Sequence, residues 1–197
     1  MTIDTINLVI HPLFHEQEAI TISQKNKYGS KVRGVTFGNI GRMVLNTGPN
    51  ALFVFVPTNF IKGSTLDKEQ KRFIEWGKKQ LGERFIPSET EFAYQNQKQS
   101  AKSFSQMQLN LFRHDFSSLV KINVTGEIKG QCLKTGSKRI VDLLSRKGIK
   151  KTSVKVLKDA KNSRQALLIS MDIMQRKFSF FSKWRRETQP SKRKPRR

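Results

Sequence analysis

Apolar and polar residues follow two different periods along the chain. A run of β-favouring residues lies at 5–11 and is ended by Pro12, and a nearly continuous apolar run lies at 51–58 and is stopped by Pro57. Such runs are typical of buried parallel strands that lead into loops. The segment 64–82 instead has apolar residues at helical spacing, between a capping Ser64 or Thr65 and Gly82. This pattern predicts a helix.

The rest of the chain continues this alternation. We expect a short strand around Val32 to Phe37, helices at 103–116, 132–148 and 162–178, and strands at 118–126 and 151–160. Alternating strands and helices with short connections indicate an α/β fold, here a three-layer arrangement. Its centre is predicted to be an open, mostly parallel sheet with helices on both faces.

The domain organisation predicted from the sequence is simple. A chain of 197 residues is long enough for one sizeable core, and we assign it to residues 1–180. Residues 181–197 contain two prolines and dense Lys and Arg, with almost no apolar residue after Trp184. Such a segment cannot offset its ordering entropy by burial, so we expect a disordered polybasic tail.

The charge is strongly positive. The formal net charge is +23 at pH 7. A field of this sign attracts polyanions, so nucleic acid, an anionic membrane surface and an acidic protein are all candidate partners. The tail residues expected to contact nucleic-acid phosphates are Lys183, Arg185, Arg186, Lys192, Arg193, Lys194, Arg196 and Arg197.

Two other interpretations of the tail remain open. The aromatic residues beside the basic cluster at 178–186 also suit an anionic membrane interface. The last six residues, KRKPRR, can serve as a nuclear import signal if the cell has a nucleus.

Several classes of site are disfavoured by residue types and hydropathy. One cysteine excludes an internal disulfide, and three histidines are few for a metal site. The start of the chain does not resemble a secretory leader, and no run approaches the ~18 apolar residues of a transmembrane helix. We therefore expect a cytoplasmic protein, or a nuclear one in a eukaryote, without cofactor or metal.

Cys132 is the main candidate for chemistry. It follows the predicted strand at 118–126 and begins the predicted helix at 132–148. Ligands of open α/β sheets bind at the carboxyl ends of strands, and a helix start lowers a thiol pKa, which suits a nucleophile. The alternative is a buried structural cysteine, since cysteine is among the most buried residue types.

The order of short motifs around Cys132 resembles the isochorismatase-like cysteine hydrolases. The features are the end of the first strand at His11, the segment from Lys98 to Phe104, Gly126 six positions before Cys132, and VKVLKDA at 154–160. The resemblance covers about residues 6–160. Relatives of this fold often self-associate, so it also implies a homo-oligomer.

The resemblance implies roles for three residues. Cys132 would attack the carbon of a small amide-like substrate, and Lys98 would be its cationic neighbour. An aspartate is expected as base at the end of strand one, but this chain has His11 there. Two hypotheses follow: a cysteine-dependent C–N hydrolase, possible because histidine can act as a base, or a catalytically lapsed domain that binds a polyanion such as RNA or DNA.

Overall fold

The computed structural model describes residues 1–14, 36–94, 97–126, 132–157 and 167–172; for 97–100 and 167–172 it describes the backbone only. The elements are β1 Thr2–Ile10, α1 Phe37–Leu45, β2 Ala51–Val56, α2 Thr65–Leu81, β3 Phe85–Pro87, α3 Gln97–Phe112, β4 Asp115–Gly126, α4 Cys132–Arg146, β5 Lys151–Val156 and β6 Leu167–Asp172.

The six strands form one sheet in the order β3-β2-β1-β4-β5-β6. Neighbouring strands from β3 to β5 pair in parallel, and β6 pairs antiparallel with β5. The prediction of an α/β fold with a mostly parallel sheet is therefore confirmed.

The prediction of a helix at 162–178 is wrong where the structure describes that segment. Residues 167–172 form β6 instead, and the rest of the predicted helix lies outside the described residues. Pairing with β6 satisfies backbone groups of β5 that would otherwise lie at a sheet edge. This tertiary pairing outweighs the local helix signals.

Side chains of alternate residues on β1 and β2 are buried on opposite faces of the sheet. On one face, Leu8 and Val54 join a core cluster that contains Leu111 of α3 and Ile140 of α4. On the other face, the second cluster combines aromatic and aliphatic strand residues with α1 and α2: Val9, Ile40, Val44, Phe53, Phe55, Phe73 and Phe85. Helices on both faces give the three layers that the sequence predicts.

Helix α2 agrees closely with its predicted boundaries. The Ser64 side chain accepts a hydrogen bond from the Asp67 N–H, and Gly82 follows the last helical residue with a positive φ of 57°. The cap satisfies one of the free N–H groups of the first turn.

Helix α1 was not predicted, and the short strand expected around Val32 to Phe37 is wrong at its last residue. Phe37 begins α1, and the Thr36 side chain caps it by accepting from the Asn39 N–H; residues 32–35 lie outside the described part. The glycine-rich segment 28–50 was interpreted as a short strand followed by a turn, but Ile40 and Val44 recur at helical spacing and bury against the sheet.

The sheet face towards α1 and α2 changes in character from one edge to the other. In one row of register partners, Phe85 of β3 and Phe53 of β2 are followed by Asn7 of β1, Asn123 of β4 and Lys155 of β5. Register partners share a face, so this row runs from aromatic to amide to cation. Helices α1 and α2 cover the aromatic half.

Candidate functional site

The carboxyl edge of the sheet has a topological switch point between β1 and β4. The chain leaves β1 towards α1 on one face, whereas it leaves β4 towards α4 on the other. In open α/β sheets, the crevice at such a point is where ligands bind. His11 follows β1 and Cys132 begins α4, so both lie at this edge, as predicted.

His11 is buried and neutral. The residue is 1% exposed. Burial lowers the pKa of its imidazole to about 4, although the hydrogen bond to the Thr90 carbonyl partly opposes this shift. Nε2 lies 3.1 Å from the Thr90 carbonyl oxygen. Because a carbonyl only accepts, the proton is on Nε2 and the lone pair is on Nδ1. Nδ1 is buried and has no hydrogen-bond partner in the described part of the chain.

The backbone at His11 is also unusual. Its φ is +47°, and Leu13 two residues later has a φ of +56°. Residues other than glycine seldom adopt this left-handed region. The His11 N–H still bonds the Val56 carbonyl at 2.9 Å, so the chain turns sharply only after the last ladder bond.

Cys132 is 7% exposed and belongs to the core cluster on the α3 and α4 face. Burial raises the pKa of its thiol to about 12. We expected the start of the helix to lower this pKa, and that expectation is wrong because desolvation of the thiolate outweighs the helix dipole. Among the described residues, no hydrogen bond joins the thiol to the His11 ring.

Tyr94 is the neighbour that the two candidate residues share. Its ring packs edge-on against the His11 imidazole, with centroids 5.4 Å apart. Its pKa is raised, first by burial and then by the charges of Cys132 and Glu91. We call the buried His11 and Cys132, together with the half-buried Tyr94 beside them, the edge cluster.

Lys98 was expected ahead of a helix, but its backbone lies in the first turn of α3. Its side chain is outside the described part, so its role towards Cys132 stays a prediction. The eight basic tail residues from Lys183 to Arg197, and the 181–197 tail as a whole, also lie outside the described residues.

Sequence reasoning missed the residues that hold the strand ends at this edge. The Thr58 hydroxyl donates to the Pro12 carbonyl at 2.6 Å, which ties β2 to the segment after β1. The Gln70 side chain accepts from the Thr58 N–H and donates to its carbonyl, both at 2.8 Å. The Thr90 hydroxyl donates to the Pro57 carbonyl. Only Thr58 had a signal in the sequence, since it is the polar residue that ends the run at 51–58 and strand carboxyl ends meet at one edge.

Glycine at 126 allows β4 to approach the end of β1. A Cβ at this position would lie 2.1 Å from the Ile10 carbonyl oxygen. Because backbone atoms cannot yield at that distance, a larger residue would separate the two strands at the switch point. The glycine that the sequence marked before Cys132 thus has a packing role.

The described residues offer no group of three or more His, Cys, Asp and Glu side chains that could hold a metal ion. No helix among them is both long and apolar enough to cross a bilayer. Comparison with known proteins found no matching family model, no matching curated protein and no matching solved structure. The isochorismatase-like resemblance therefore remains a hypothesis.

Proposed function

We propose that this chain is an isochorismatase-like α/β domain whose cysteine chemistry has lapsed and which binds nucleic acid through its basic surface and tail. The observation that carries the proposal is the net charge of +23. Each of the four described α-helices has an exposed Lys or Arg, for example Arg42, Lys68, Lys102 and Lys138. Cations spread in this way contact phosphates without reading sequence.

The state of the edge cluster supports lapsed chemistry. Burial raises the thiol pKa of Cys132 to about 12, so the side chain is almost entirely protonated at pH 7. An ordinary cysteine has a larger thiolate fraction at that pH, a few per cent. The neutral His11 ring supplies no positive charge to stabilise a thiolate, and its Nδ1 makes no hydrogen bond to the sulfur.

The test is fluorescence anisotropy with a labelled single-stranded RNA and a DNA of the same length, measured over a range of salt. We expect tight binding at low salt and a linear fall of log affinity with log salt. Six phosphate contacts to a single strand would weaken binding roughly 300-fold between about 50 and 200 mM salt. A variant that ends at Phe181 should show a shallower slope, because it lacks the tail cations.

Two results would contradict this proposal. One is the absence of detectable binding at low salt. The other is binding that neither salt nor removal of residues 182–197 changes, because phosphate contacts release counterions by necessity.

A second candidate is the cysteine-dependent C–N hydrolase, and one observation favours it. Among the described residues, the buried Nδ1 of His11 has no hydrogen-bond partner, and the ring packs against Tyr94, which interacts electrostatically with Cys132. A buried polar atom without a partner is costly, and such atoms concentrate at functional sites. In that case Nδ1 would take the thiol proton as Cys132 attacks the substrate.

Thiol labelling separates the two candidates, and Cys132 is the only cysteine in the chain. For the lapsed domain we expect a disulfide reagent at neutral pH to react at least about 100-fold more slowly than with the same protein in urea, since rate follows exposure and thiolate content. Labelling of the folded protein faster than in urea would favour the hydrolase.

A further inference from the structure

The half of the sheet face that contains β1, β4 and β5 has a polar floor. Asn123 Nδ2 donates to Asn7 Oδ1 at 2.9 Å, and Asn7 Nδ2 donates to Thr47 Oγ1 at 3.4 Å. The next row towards the amino ends of the strands contains Thr5 of β1, paired in register with Lys121 of β4. Both asparagines are half-buried and still border open space.

An open cleft of about 450 Å³ lies above this floor. Its wall is formed by the last turn of α1 and the segment leading into β2, including Arg42, Asn46 and Asn50. This volume is within the usual range of small-molecule sites, about 300–1,000 Å³. The lining combines four asparagine amides with four apolar side chains, and this mixture suits a planar group with polar edges more than a lipid tail.

Cations continue the same surface on the side away from α1. Lys121 is exposed and lies in register beside Thr5, and Lys155 lies in register beside Asn123. Adjacent strands are about 4.8 Å apart, so both lysines are within side-chain reach of the cleft mouth. Asp4 is the acidic residue of the lining, and it accepts a hydrogen bond from the Thr5 hydroxyl.

We propose that the cleft receives one base of a single-stranded nucleic acid and that Lys121 and Lys155 contact the phosphates on either side of it. Asparagine side chains offer a donor and an acceptor side by side, which matches the edges of bases. Only unpaired bases can enter a cleft of this kind, because those of a duplex are stacked. Asp4 disfavours phosphate on its own side and so directs the backbone towards the lysines.

This inference rests on the proposed function and assigns a surface to it. The experiment compares two double variants that change the charge equally. K121E/K155E alters the proposed surface, and K68E/K79E alters two exposed lysines of α2 as the matched control. A third variant, Asn46→Ala, removes an amide from the cleft wall without changing charge.

Affinity is measured by anisotropy with a labelled single-stranded RNA of about 12 nucleotides and with the duplex of the same sequence. We expect K121E/K155E to weaken single-strand binding at least about 30-fold and the control less than about fivefold. Only K121E/K155E places negative charges next to the phosphates that flank the base in the cleft. Asn46→Ala should weaken it about fivefold with an unchanged salt slope. Thermal melts establish whether each variant is folded. If a double Glu variant is not folded, the comparison is repeated with glutamine in place of glutamate at the same four lysines.

The failures of the two proposals are distinguishable. If the unaltered protein does not bind RNA at low salt, the proposed function itself fails. If it binds but both double variants lose affinity equally, or if duplex and single strand bind equally well, the cleft is not the site and only this inference is overturned.

Discussion

Burial of His11 predicts a specific dependence of stability on pH. The pKa of its imidazole is 6.5 in an exposed setting and about 4 in the folded protein. Since the fold favours the neutral ring, the stabilisation is complete above about pH 6.5 and is lost as the pH falls towards 4. The full shift corresponds to about 3 kcal/mol, of which about 2 kcal/mol is lost between pH 7 and pH 5.

The matched perturbation is His11→Asn. Asparagine does not titrate, and it tolerates a positive φ better than most residues, so it fits the +47° backbone. The other two histidines are present in both proteins and cancel in the comparison. The assay is urea unfolding followed by circular dichroism at about pH 7, 6 and 5, with the free energy of unfolding extrapolated to water.

We expect the unaltered protein to lose about 2 kcal/mol more than His11→Asn between pH 7 and pH 5. The absolute stabilities at pH 7 differ for other reasons, so only the change with pH is diagnostic. Parallel losses in the two proteins would mean that the imidazole keeps an ordinary pKa. The description of His11 as buried away from water would then be wrong.

Two further predictions concern stability. Gln70→Ala leaves the buried Thr58 N–H without its partner and removes one of two hydrogen bonds to the Thr58 carbonyl, which still accepts from the Phe60 N–H, so it should destabilise the protein by about 1–3 kcal/mol. Gln80→Ala, at an exposed position of the same helix, should change the free energy of unfolding by less than about 0.5 kcal/mol in urea titrations. Gly77→Ala should lower the melting temperature although alanine has the better helix propensity, because its Cβ would lie 2.4 Å from a ring atom of the buried Phe85. The control Gly38→Ala places its Cβ where no atom lies within 4 Å, so it should raise the melting temperature. Melting temperatures in the opposite order would contradict the packing of α2 against Phe85.

Elements with a strong period were predictable from the sequence. The apolar run of β2 fits a buried strand, and α2 has both a capping residue and a terminating glycine. Residues close in sequence were therefore sufficient to predict these two elements. Segment 167–172 failed because its apolar residues fit a helix and a strand alike, and pairing with β5 decided between them. β3, with three residues, is too short to have a period.

The location of the candidate site could be predicted from the sequence, but the protonation states of its residues could not. The position of His11 and Cys132 at the carboxyl edge follows from strand and helix order, which sequence patterns reveal. Their ionisation depends on desolvation by burial in a core whose residues are distant in sequence. That is why a helix-start argument gave the wrong direction for the thiol pKa.

The three-residue strand β3 has a consequence for how copies of this protein behave at high concentration. It forms one border of the sheet and ends in Pro87, which has no N–H to donate. Arg84, just before it, bonds instead to the Gly48 carbonyl. A border so short offers little template for a strand from another molecule, so intermolecular sheet growth and fibril seeding are disfavoured there.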